Sequence, residues 1–169
     1  YAVSRTDTIN SLTTTGAGIV QIDTSQILTL AATSSAAGVI QGAGGLTVAG
    51  GTTTLAGNNT YTGATSVTGG TLKITHINGL GTNAAGTTVG SSGTLDLTGV
   101  LVVSTEALSL SGTLSTSTGT SSFAGATTLV ADSTFNVAGT QLTLSGDLDD
   151  DTGTFNINKT GAGILVLTN

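Results

Sequence analysis

GTLKI (70–74), GTLDL (93–97), STFNV (133–137) and GTFNI (153–157) repeat one shape, and GTLSTS (112–117) is a fainter copy of it. Each alternates small polar with larger apolar residues, the pattern of a strand with one buried face. The central apolar residues are Leu72, Leu95, Leu114, Phe135 and Phe155, so the steps are 23, 19, 21 and 20 residues. A period near 20 carried by strand chemistry marks a solenoid. Two further columns share the period: Val67, Val89, Leu108 and Leu129, and Val102, Phe123, Leu142 or Leu144, and Leu165. Three columns with one period predict a three-sided coil, each coil hydrogen-bonded in parallel to the next about 4.8 Å away. Roughly eight coils of about 20 residues fit the 169 residues as a single β-solenoid domain, 1–169.

Composition agrees. Charged residues make up 7% of the chain, against roughly 25% in ordinary domains. There are 26 Gly but no Pro, Cys, Met or Trp, and the net charge is −6. Spaced Val, Ile, Leu and Phe with low charge argue against disorder, which combines low hydrophobicity with high charge. The absence of Cys excludes a disulfide framework. The three basic residues, Arg5, Lys73 and Lys159, are too few for nucleic-acid binding, which needs several cations on one face. No apolar run is long enough for a membrane span. The chain begins at Tyr1 without Met, as expected of a processed protein or of a segment of a longer one.

Three GAG phrases, beginning at Gly16, Gly42 and Gly161, read as the same strand start in different coils. Around the second, GAGGLTVAGGTTTLAGNNTYTGATSVTGGTLKI (42–74) resembles the autotransporter-associated β-strand repeat of bacterial passenger domains. Leu46, AGNNTYTG (56–63), Val67 and Gly69-Gly70-Thr71-Leu72 carry the resemblance, and NKTGAGILVLTN (158–169) resembles the opening of another copy. The resemblance implies a right-handed parallel β-helix, export from the cell to the surface or beyond, and no enzyme activity.

Candidate sites are sparse. Asp147, Asp149, Asp150 and Asp151 place hard oxygen ligands at alternate positions, which suits Ca²⁺; the plainer reading is an exposed turn between coils. No other cofactor is expected. Glu106 with Asp132, and Lys73 with Asp96, are the two loose pairings; the second reads as a cross-coil ion pair. His76, the only His, reads as a loop residue, and one His cannot supply a metal site. Tyr61 reads as a corner residue whose ring packs over Gly63. Thr52-Thr53-Thr54, Thr87-Thr88 and Thr127-Thr128 raise ice binding as a remote alternative, since their spacing is not strict. No nucleophile–base pair is visible, so the chain is not expected to be an enzyme.

A solenoid has two open edges, which native proteins cap. No cap is legible here. Ile9 and Leu12 near one end, and Ile164, Leu165, Val166 and Leu167 near the other, are the expected axial interface. The expected function is structural: a subunit or segment of an extracellular fibre built by end-to-end stacking of copies, a homopolymer. The alternative is the stalk of an autotransporter adhesin with a cell-surface or glycan target.

Overall fold

The computed structural model describes residues 1–100, 105–151 and 153–168. All its regular elements are strands, and every strand pair is parallel. Two eight-stranded sheets form the long sides of a solenoid. The first long side runs from Asp7–Ile9 to Leu148–Asp149, and the second from Thr13–Thr14 to Ile157–Thr160. Among the described residues the short side has three strands at each end of the rod: Ala2–Val3, Ile19–Ile22 and Val39–Gln41, then Thr120–Phe123, Gln141–Leu144 and Ile164–Leu167. In chain order each coil passes the short side, then the first and second long sides, so eight coils stack before a ninth begins at Ile164. Eight strands at about 4.8 Å make a rod about 34 Å long.

Alternation in sequence becomes alternation in burial. Along Gly70–Ile74, Leu72 and Ile74 point inward and are fully buried, while Thr71 and Lys73 face out. Register then stacks like on like: Leu72 on Leu95, Leu95 on Leu114, Leu114 on Phe135. Each rung removes its neighbour's apolar surface from water, worth roughly 25 cal/mol per Å². The core is therefore continuous along the axis, with Leu28, Leu46, Val67, Val89, Leu97 and Phe123 all at most 0% exposed.

Four expectations need correction. Phe155 is not the next rung. Phe135 pairs with Lys159, 24 residues on, in the strand Ile157–Thr160, and Phe155 lies outside any strand, 37% exposed. The acidic turn is the reason. Gly153 N–H closes on Asp150 C=O (2.9 Å), and Asn156 is held by Asp132, its N–H and side-chain amide donating to the two carboxylate oxygens at 2.8 and 3.1 Å. That corner spends extra residues before the chain regains the sheet. Second, Val89 stacks on Leu110 rather than Leu108, and Leu110 on Leu129.

Third, Phe123 stacks on Leu144 and Leu144 on Leu167, whereas Leu165 follows Leu142; Val102, placed in the same column, lies outside the described residues. Fourth, the GAG phrases do not share a place. Those at Gly16 and Gly161 lead into short-side strands, Ile19–Ile22 and Ile164–Leu167, but that at Gly42 leads into the first long side at Gly45–Val48.

The corrected ladder is directly testable. Phe135→Ala should lower unfolding free energy by about 3–5 kcal/mol, since it empties a fully buried rung. Phe155→Ala should cost about 1 kcal/mol or less. Urea unfolding followed by circular dichroism measures both, and equal losses would refute the register.

Candidate functional site

The phrase AGNNTYTG (56–63) crosses the short side where no strand is assigned, yet its inward–outward alternation persists: Gly57, Asn59 and Tyr61 are buried, and Asn58, Thr60 and Thr62 are exposed. Asn59 does the work of a strand rung. Its side-chain Oδ1 accepts from Ile40 N–H in the third coil (2.8 Å), and its Nδ2 donates to Gly79 C=O in the fifth (2.8 Å). Its own N–H donates to Asn78 C=O (3.2 Å). One amide thus satisfies a buried donor above and a buried acceptor below, which would each cost free energy if left unpaired. Asn78 reinforces the link outside, donating from Nδ2 to Asn58 Oδ1 at 2.8 Å.

The flanking glycines are required by close approach. A Cβ on Gly57 would stand 1.9 Å from Gly38 O, and one on Gly63 2.3 Å from Gly44 O. Tyr61 is fully buried, and its ring lies against Gly81: a Cβ on Gly81 would meet ring atoms at 3.1 Å. The Tyr61 hydroxyl shares a 2.7 Å hydrogen bond with Thr65 Oγ1, and burial raises its pKa.

The acidic residues do not assemble. Glu106 is buried beside Thr87, whereas Asp132 is on the surface with Asn156, which holds its carboxyl below the usual range. Lys73 and Asp96 are register neighbours, but Asp96 turns its carboxylate to Ser117 N–H (2.9 Å) and Thr98 Oγ1 (3.4 Å). His76 stays local, its Nδ1 accepting from Asn78 N–H at 3.1 Å. Asp147 directly precedes the strand Leu148–Asp149, its C=O accepting from Thr127 N–H at 2.7 Å, Asp149 accepts from Asp150 N–H at 2.8 Å, and Asp151 has a positive φ of 55°. Among the described residues, no group of three or more His, Cys, Asp or Glu side chains is placed to hold a metal ion.

The outer faces are ordered in a way composition only hinted at. On the first long side, Thr8, Thr29, Thr47, Ser66, Thr88, Ser109 and Thr128 stand in one register column that ends at Asp149. Beside it Ala64, Gly86, Ala107 and Ala126 carry the backbone ladder and leave a shallow trough. Two concavities, of about 280 Å³ near Ile27, Thr47 and Ser66 and about 170 Å³ near Thr88, Ser109 and Thr128, are segments of it. The second long side carries Thr52, Thr71, Thr94, Thr113 and Thr134 in column. The Thr doublets are split by the pleat: Thr53, Thr87 and Thr127 point inward and are buried. Lys73 and Asp96 interrupt the adjoining column, so no paired Thr lattice extends over this side.

Of the expected axial residues, Leu12 is buried and Ile9 half-buried, whereas Ile164 is 59% and Leu167 47% exposed; Leu165 and Val166 are half-buried. Lys159 is exposed in the strand Ile157–Thr160, yet its register puts it under Phe135, with its ammonium donating to Gly161 C=O at 2.9 Å.

Replacing Asn59 by Ala should destabilise the rod by about 1–3 kcal/mol, because both Ile40 N–H and Gly79 C=O lose their partner. Amide hydrogen exchange should show the Ile40 N–H losing protection first; unchanged protection there would refute the bridging role.

The passenger-associated-transport-repeat family model matches residues 50–74 and 157–169. The first match spans the strand Thr52–Leu55, the Asn59 bridge and the strands Thr65–Val67 and Gly70–Ile74. Neither the curated proteins nor the solved structures yield a match. The chain is a parallel β-solenoid, two stretches of which are similar to the passenger-associated-transport-repeat, in agreement with the resemblance to autotransporter passengers at 42–74 and 158–169.

Proposed function

We propose that this solenoid is a structural element of a bacterial surface or extracellular fibre, and that copies stack end to end through their open coils. The observation that carries the reading is the edge formed by Ile157–Thr160 and Ile164–Leu167. All four residues of the first strand are exposed, and Ile157, Ile164 and Leu167 present apolar side chains on it at 42%, 59% and 47% exposure. An open parallel edge offers backbone donors and acceptors to a further coil, and apolar rungs supply the burial. The contact is heterologous and does not close, so it propagates. Low surface charge opposes it little. The matched repeat family supports a structural role in an exported protein.

A second reading is the stalk of an adhesin. The uncharged hydroxyl column and trough on the first long side favour it, as a face suited to a neutral polyol such as a glycan.

Negative-stain microscopy of the purified chain over a range of concentrations separates the two. Filaments one rod wide that lengthen with concentration support stacking, and Ile164→Lys with Leu167→Lys should shorten them to single rods. Single rods at every concentration in the unmodified chain would overturn stacking and leave the adhesin stalk. A chelator arm tests calcium at Asp147–Asp151: unchanged filaments and an unchanged Tm count against it.

A further inference from the structure

Glu106 is the only glutamate in the chain, and it sits inside the rod at 2% exposure. It lies at the corner leading into the strand Leu108–Leu110 of the sixth coil. Thr87 of the fifth coil donates its hydroxyl to Glu106 Oε1 at 2.6 Å. Glu106 Oε2 is buried with no partner among the described residues, and so is Oγ1 of Thr127, in the seventh coil. Register explains the grouping: Thr65, Thr87, Leu108 and Thr127 occupy successive rungs of one inward column, so a polar patch interrupts the apolar core. The seventh coil approaches closely, since a Cβ on Gly125 would overlap Glu106 O.

What faces this carboxyl decides its charge. From the fourth coil the titratable group is Tyr61, its hydroxyl bonded to Thr65 at 2.7 Å. The fifth coil contributes Thr87, and the seventh Gly125 and Thr127. None is a cation. An ionised carboxylate here would be buried with one oxygen unsatisfied and no counter-charge, which is far costlier than burying the neutral acid.

We propose that folding of this solenoid is coupled to uptake of one proton at Glu106, so that the clasp joining the fifth, sixth and seventh coils tightens in acid and slackens as pH rises through neutrality. Burial pushes the Glu106 pKa from its ordinary 4.5 up to about 7, the Thr87 bond opposing this in part. The sign follows from linkage. A carboxyl raised in the folded state stabilises fully below 4.5, and that stability is lost as pH climbs from there to about 7. Asp132, lowered in the folded state, acts in the opposite sense, and only at pH below the ordinary carboxylate range. The pH dependence between pH 5 and 8 is therefore read as the difference from Glu106→Gln, which removes this one titrating group.

Two measurements test this on the whole chain. With ¹³C-glutamate labelling, one side-chain carboxyl resonance is expected, titrating near pH 7 in the folded protein and near 4.5 in urea. A folded-state midpoint below pH 5 would overturn the proposal. In urea titrations the folding constant of the unmodified chain should fall by up to about tenfold per pH unit between pH 5 and 7, whereas Glu106→Gln should be flat there. Parallel curves for the two proteins would also overturn it. Should Glu106→Gln fail to fold, the resonance titration on the unmodified chain decides alone.

Discussion

Every property of this rod depends on the in-register parallel hydrogen bonding of one coil to the next. A single coil of about 20 residues has no interior of its own; it acquires one only when a neighbour covers it. The backbone ladder sets the spacing, and the spacing brings Leu72, Leu95, Leu114 and Phe135 into contact along the axis. Burial and hydrogen bonding are thus one event here. That coupling explains how a chain with 26 Gly and 7% charged residues folds at all: small residues at corners let coils approach, and few side chains need solvation inside.

Where the ladder lapses, side chains replace it. At residues 56–63 no strand is assigned on the short side, and Asn59 supplies an amide that answers Ile40 above and Gly79 below. Gly57 and Gly63 flank it because backbone from the preceding coil occupies the room a Cβ would need. The repeat phrase AGNNTYTG is therefore a structural joint between three coils. At Glu106 the substitution is less complete: the carboxyl meets Thr87 but leaves an oxygen bare, and a proton makes up the deficit.

Much of this was readable beforehand, for physical reasons. Period-2 alternation marks inward residues wherever one face is buried, so Leu72, Leu95, Leu114 and Phe135 were legible as a column. Phe155 was misread because GTFNI has the right alternation but follows a corner of unusual length. Leu108 was misread for Leu110 because both point inward from one short strand, and alternation cannot choose between positions two residues apart. The hydroxyl column on the first long side was missed because Thr-Thr doublets look alike in sequence, while the pleat sends one inward and one outward.

By itself the chain determined its class of fold: a coil period near 20, parallel strands and an apolar interior all follow from local alternation and composition. Only the tertiary structure decided which residue lies over which. The step between successive rungs varies from 18 to 24 residues, set by corners such as the one between Asp149 and Ile157 whose length carries no periodic signal. Register alone puts Lys159 beneath Phe135, and the stacking of coils five to seven alone encloses Glu106. A residue's face is a property of its own strand, but its neighbours along the axis depend on every corner between them.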